Sequence, residues 1–142
     1  MSLTEFEEQY ARHAKEERER YDSLPVEVLL DDIKNKRYGD HYQIWVSLVA
    51  RTDFRQAGLI LLEVLESDAN PTVRSHCAHT FIALAHLDDR WTAERLSAER
   101  KFPVKDNLQE VRRIVEDRMK LEDQRSKESW LKRICRRRLK TS

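Results

Sequence analysis

The chain has 142 residues, the length of one domain. Its 27 Lys and Arg against 26 Asp and Glu give a net charge of +1, yet residues 1–89 carry −7 and residues 90–142 carry +8. The 35 Leu, Ile, Val and Phe residues exclude an extended disordered polyelectrolyte. Only two Gly and three Pro argue against a strand-rich or loop-rich fold, which needs many turn residues.

The sequence also predicts a compartment. It contains no apolar run of the roughly 18–20 residues that a membrane span needs. The N-terminus is acidic and lacks the basic-then-apolar order of a signal peptide. Cys77 and Cys135 stand alone, which is too few for a disulfide framework. We therefore expect a cytoplasmic protein.

Segments with helical periodicity follow one another along the chain. The first, about 4–21, opens with Thr4 and Glu7 at capping-box spacing and has one narrow apolar stripe. We expect this charged helix to lie on a surface or on a partner, including a second copy of the chain. Further helices are predicted at about 25–38, 41–52, 55–66, 72–87 and 90–101.

The last two segments carry capping signals of their own. Asp88 and Asp89 are expected to cap the short helix 90–101. Asp106 precedes a final segment that contains no Gly or Pro. The apolar stripe of this segment ends at Leu121, so the remainder is predicted to be a polar and basic tail.

A fixed period connects these helices. Trp45, Ala78 and Val111 are each 33 residues apart, and two further apolar positions repeat at the same spacing. Repetition at such a period predicts a solenoid of antiparallel helix pairs, in which each pair buries its apolar stripe against its neighbour.

One of these units carries a family resemblance. After an apolar first helix come Asp68 and Pro71 in a turn, and then Val73 and Arg74 open a second helix. This order resembles one HEAT repeat over residues 57–87, while the flanking pairs match only by their period. The resemblance implies an all-α fold, a short right-handed α-solenoid of antiparallel helix pairs. HEAT-like proteins are mostly binding scaffolds, and a few relatives of the fold are lyases or bind damaged DNA.

The predicted organisation has three parts. They are a charged amphipathic N-terminal helix (1–22), a HEAT-like helical repeat domain (23–121) and a basic amphipathic tail (122–142).

The repeat period also predicts a column of side chains on the concave surface, where solenoids usually bind partners. The predicted partner-binding residues are Gln43, Ser47, His76, His79, Thr80, Gln109, Arg112 and Arg113. The alternative is that these side chains are solvated and bind nothing.

Metal binding and catalysis are both disfavoured. His76 and His79 share a helical face, but the ligands needed to complete a zinc site are missing from the pattern. Acidic pairs stand at helix ends, where capping explains them, and Asp40 beside His41 is another predicted cap. There is no Gly-rich phosphate loop. We expect no catalytic residues, no metal and no cofactor.

The C-terminal tail is the strongest local signal. Its apolar residues fall on one side of a helical projection and its basic residues are dense. The candidate anion-binding residues are Trp130, Lys132, Arg133, Arg136, Arg137, Arg138 and Lys140. A basic amphipathic helix binds nucleic-acid phosphates, an anionic membrane surface or an acidic partner, or it docks on the acidic part of its own chain.

Three functions follow in order of preference. The first is a non-catalytic protein-binding module, a scaffold, adaptor, or inhibitor or immunity-type protein, whose acidic surface suits a basic partner. The alternative is binding of a nucleic acid or an anionic surface through Arg112, Arg113 and the tail. A lyase-like or base-acting enzyme on the same fold ranks last.

Overall fold

The computed structural model describes residues 2–38, 42–68, 70–97 and 104–141, and every regular element in these ranges is an α-helix. The helices are α1 (Leu3–Ser23), α2 (Val26–Lys34), α3 (Gln43–Arg51), α4 (Phe54–Ser67), α5 (Pro71–Ala85), α6 (Ala93–Ser97) and α7 (Val104–Thr141). The predicted all-α class is confirmed. None of the described helices combines the length and the apolar character that a membrane crossing requires.

The start of α1 differs from its prediction by two residues. The backbone N–H of Glu5 donates to Ser2 Oγ at 3.2 Å, and the Ser2 N–H donates to Glu5 Oε2 at 3.1 Å. This capping box therefore begins at Ser2, and the predicted box of Thr4 and Glu7 lies inside the helix.

Later helix starts follow strong local signals, with one correction. Asn70 caps α5 by accepting from the backbone N–H groups of the first turn, and Pro71 occupies the first helical position. Before α6, however, Thr92 Oγ1 accepts from the Arg95 N–H at 3.1 Å. The predicted cap at 88–89 is wrong. Helix α6 begins at Ala93, so the residue directly before it, Thr92, provides the cap.

The final helix also starts earlier than predicted. Helix α7 begins at Val104, so the predicted cap Asp106 falls within its first turn. The predicted helix end at Lys101, the predicted cap Asp40 and the predicted helix start at His41 lie outside the described residues.

The chain divides into two compact units, Met1–Leu108 and Gln109–Ser142. In the first unit α2 contacts α3 and α4, α3 contacts α5, and α5 contacts α4 and α6. The core is formed by side chains that these helices bury completely, and each contributes about 1.5–3 kcal/mol through the hydrophobic effect. They include Leu29, Ile33, Ile44, Leu48, Leu61, Leu62, Leu65, Phe81 and Leu96.

The C-terminal end of α1 is fixed to α3. Ser47 is fully buried, and its hydroxyl donates to Asp22 Oδ1 at 2.6 Å. Arg51 donates to the Tyr21 carbonyl at 2.9 Å and also to the Leu24 carbonyl, so it caps the last turn of α1. The hydrogen bond from Ser47, followed by that from Arg18, lowers the pKa of Asp22. The apolar stripe at the other end of α1 remains exposed.

Tyr38 follows α2 and connects this part of the chain to the turn between α4 and α5. Its ring is buried, and its hydroxyl donates to the carboxylate of Asp68. Burial and this hydrogen bond raise the pKa of Tyr38. Burial acts to raise the pKa of Asp68 as well, but the hydrogen bonds from Tyr38 and from the Asn70 backbone lower it overall.

Tyr38→Phe is expected to lower the free energy of unfolding by about 1.5 kcal/mol at neutral pH, since a hydrogen bond to a charged acceptor is lost. A lowered carboxyl pKa stabilises the fold above its ordinary value, here 3.8, and this stabilisation is lost as the pH falls through the folded-state pKa. The difference between wild type and variant should therefore shrink below pH 3.8 in urea denaturation. A difference that is constant with pH would contradict this role, and Tyr42→Phe at an exposed ring serves as the control.

The second unit consists of α7 from Gln109 onward. Val111 and Val115 are buried, whereas residues 123–133 are exposed. The helix continues without a break through position 122, so the predicted tail is the distal part of a single helix and not a separate element.

Candidate partner-binding groove

A groove of about 370 Å³ lies between α3 and α5 within the unit Met1–Leu108. One wall comes from α3 and the residue that precedes it, and the other comes from α5. The lining residues are Tyr42, Trp45, Val46, Val49, Ser75, His76, His79 and Thr80. Within each wall they are spaced as neighbours on one helical face, so two helix faces form the described lining of the groove.

The α3 wall is apolar and aromatic. Trp45 is only 2% exposed, and its ring lies 5.3 Å from that of Tyr38 at a tilt of 51°, so a packed side chain forms this part of the wall. Tyr42, in contrast, is 54% exposed. Its ring centroid lies 5.0 Å from that of His76 on the opposite wall. The two rings together narrow the groove at this point.

The α5 wall is polar, but its hydrogen-bonding groups are partly used. His79 Nδ1 lies 2.8 Å from the Ser75 carbonyl, which only accepts, so Nδ1 carries the proton and Nε2 is left to bond a ligand. The Thr80 hydroxyl donates to the His76 carbonyl at 2.9 Å. Burial, and then the neighbouring His79, lower the pKa of His76. A neutral His76 ring favours an apolar or hydrogen-bonding ligand over an anionic one.

The structure places the predicted concave-face residues in three different settings. His76, His79 and Thr80 line the groove, but Thr80 is buried, so its predicted place on an open surface is wrong. Gln43 is half-buried in the first turn of α3 and is not among the lining residues. Ser47 is buried against Asp22, so its predicted place on an open surface is wrong; α1 packs over that face of α3.

The other three predicted residues belong to the second unit. Gln109 and Arg113 are exposed on α7. Arg112 is half-buried and lies 3.8 Å from Glu116 in an ion pair one helical turn away. A single concave face that joins these residues to the groove stays a prediction.

Five groove residues were not among the predicted binding residues. Trp45 and Val49 were assigned to the apolar core stripe, and an apolar side chain in a groove has the same sequence pattern as one in a core. The 33-residue period could have indicated Tyr42, Val46 and Ser75. Tyr42 and Ser75 are 33 residues apart, and Val46 stands one period before His79.

The cysteine between the two histidines points elsewhere. Cys77 is buried, and its thiol donates to the Leu61 carbonyl at 3.2 Å. Burial raises the pKa of this thiol, which keeps it protonated and unreactive. Among the described residues, no three His, Cys, Asp or Glu side chains are grouped as a metal site requires.

Comparison with protein-family models, curated proteins and solved structures finds no match to this chain. The resemblance to a HEAT repeat therefore rests on residues 57–87 themselves, and the function is inferred from the groove.

Proposed function

We propose that the chain is a non-catalytic protein-binding module built as a short HEAT-like solenoid, and that the groove between α3 and α5 receives the partner. The helix contacts support the solenoid. The first helices of two successive pairs, α2 and α4, contact each other, and so do the second helices, α3 and α5. Stacking of like helices is the arrangement that a repeat architecture requires.

The shape and lining of the groove carry this proposal. Its volume of about 370 Å³ and its apolar α3 wall suit the apolar side chains of an inserted segment, with His79 Nε2 available for a hydrogen bond. An amphipathic helix laid along two parallel walls buries such side chains at intervals of three and four residues. The partner is therefore proposed to present an apolar helix face.

Charge indicates what surrounds that apolar face. The unit that contains the groove has 15 basic and 20 acidic residues, so it carries −5. An acidic surface accelerates encounter with basic partners and disfavours acidic ones. This charge favours a basic partner. In this form of the proposal, the chain acts in the cytoplasm as an inhibitor or immunity-type protein that masks the partner.

The lining chemistry supports binding over catalysis. Among the residues that the structure describes, the eight that line the groove include no Asp, Glu, Cys or Lys. Catalysis by histidine usually needs a second group that orients the ring or shares the proton. The Ser75 carbonyl that accepts from His79 Nδ1 orients the ring but supplies no second acid or base to share the proton.

Photo-crosslinking from Tyr42 tests the groove directly. A photoreactive aromatic residue in place of Tyr42 is expected to form a discrete adduct with the partner in cells of the natural host, because Tyr42 is an exposed lining residue of the groove. The adduct is then identified by mass spectrometry. The same photoreactive residue at Tyr10, which is exposed on α1, serves as the positional control.

A groove-filling variant provides the second arm. Ser75→Trp places an indole inside the groove and should reduce partner affinity by about a hundredfold, as expected when a central anchoring pocket is lost. Ala83→Trp introduces the same side chain at an exposed position of α5 and should change affinity by less than about threefold. Equal adducts from Tyr42 and Tyr10, or equal affinities of the two Trp variants, would contradict the proposal.

A further inference from the structure

The distal part of α7, residues 125–138, exposes large apolar side chains that the groove does not involve. Trp130 is 61% exposed and Leu131 is 53% exposed, and Ile134 follows as a half-buried residue. At about 100° per residue, these three side chains project within about 100° of one another. They form one short apolar edge, which we call the Trp130 edge, and the exposed Lys127 and Arg138 lie on the same side of the helix at its two ends.

The opposite side of the same segment is basic. Lys132 and Arg136 are exposed and project to the opposite side of the helical circle, while the exposed Arg133 flanks the edge about 60° from Trp130. The unit Gln109–Ser142 holds twelve basic and six acidic residues, so it carries +6. An apolar edge with an indole is thus bordered and backed by cationic side chains on one exposed helix.

We propose that residues 125–138 bind the surface of an anionic lipid bilayer. The helix lies in the plane of the interface with the Trp130 edge among the upper acyl chains and the lysine and arginine head groups among lipid phosphates. Tryptophan is the side chain best suited to this depth, since its ring is apolar and its N–H reaches the polar layer.

The apolar edge decides between a bilayer and a nucleic acid. A nucleic-acid backbone is bound mainly by cations; an unpaired base would stack on the indole of Trp130, but Leu131 and Ile134 would remain in water. A bilayer surface satisfies both sides of the helix at once, because its headgroups are anionic and its interior is apolar. The segment lies in a different unit from the groove, so this proposal stands or fails independently of the proposed partner binding.

The test uses the full-length protein and two kinds of vesicles, one of phosphatidylcholine alone and one that also contains phosphatidylserine. Co-sedimentation should occur with the anionic vesicles and weaken as salt is raised. Trp45 and Trp91 are buried, whereas Trp130 is exposed. A blue shift of tryptophan emission on binding, absent from Trp130→Phe, should therefore report entry of Trp130 into the bilayer.

Charge variants test the basic face. The triple variant Lys132→Gln, Arg133→Gln and Arg136→Gln should reduce vesicle affinity by about fivefold per residue, or about a hundredfold in total. The matched control removes the same charge from exposed positions of the first unit, Arg12→Gln, Lys15→Gln and Lys34→Gln. Its affinity should change by less than about threefold.

Apolar variants test the edge. The double variant Leu131→Ser and Ile134→Ser should reduce vesicle affinity by about tenfold or more, since binding then removes less apolar surface from water. Circular dichroism confirms that each variant keeps its helix content.

Several results would overturn the proposal. These are no binding to either vesicle, equal losses in the triple variant and its control, or capture of duplex DNA or RNA without capture of vesicles. Sedimentation that shows a dimer dissociated by Leu131→Ser would assign the Trp130 edge to a second copy of the chain instead.

Discussion

Replacing Arg74 by Met is expected to lower the free energy of unfolding by about 3 kcal/mol or more. Arg74 is only 5% exposed, and its guanidinium donates to the carbonyls of Leu65, of Asp68 at 3.1 Å and of Leu96 at 3.4 Å. One side chain thereby donates hydrogen bonds to backbone carbonyls at the end of α4, in the turn after it and at the end of α6. Methionine has a similar length but would leave these carbonyls without their donor.

The position of Arg74 strengthens this interpretation. It lies in the first part of α5, where the helix dipole disfavours a positive charge. The carbonyl groups at the end of α4 and α6 carry the opposite partial charge and offset this cost. Arg74→Lys should fall between wild type and Arg74→Met, because a single ammonium cannot reach three separated carbonyls.

Urea denaturation followed by far-ultraviolet circular dichroism measures these differences. Arg12→Met, at an exposed position on α1, is the matched control and should stay within about 0.5 kcal/mol of wild type. If Arg74→Met were as stable as Arg12→Met, the three hydrogen bonds would not hold these helix ends together.

Trp45→Ala is expected to have the largest effect, a loss of about 3–5 kcal/mol in the free energy of unfolding. The indole is buried between the core and the groove, and it packs against Tyr38 at 5.3 Å. Its removal opens a cavity that α3 and α5 cannot close without moving toward each other. The variant should therefore also lose the groove and, with it, the proposed binding of a partner.

Trp130→Ala provides a control with the same chemical change at a 61% exposed position. Its stability should lie within about 0.5 kcal/mol of wild type, because no packed cavity is created. Equal losses of stability in the two variants, measured by urea denaturation, would show that Trp45 is not part of a packed core.

Much of the helix pattern could be predicted because its signals are local. The start of α5 follows from Asn70 and Pro71, a cap and a first-turn proline that act on adjacent backbone groups. Where two local signals compete, sequence alone does not choose between them: both Asp88 and Thr92 accept from nearby backbone N–H groups, and only Thr92 leads into α6.

The groove could be predicted in part. The 33-residue spacing of helix faces selected His76 and His79, which lie in the groove, but it also placed the buried Thr80 on an open surface. Ser47 was misplaced because its partner Asp22 is 25 residues earlier and outside the period. The resemblance to a HEAT repeat draws attention to Arg74, but its three carbonyl acceptors come from the ends of two other helices.

The sequence by itself determined the all-helical class, most helix positions, the uneven charge and the basic amphipathic end of the chain. These properties depend on residues a few positions apart in the chain, because helical spacing and helix capping act over that distance. Only the tertiary structure decided which faces stay open: α1 covers Ser47, Tyr42 and His76 face each other, and Trp130 remains in water. Exposure depends on which helices pack together, and that choice is made by contacts between residues far apart in the chain.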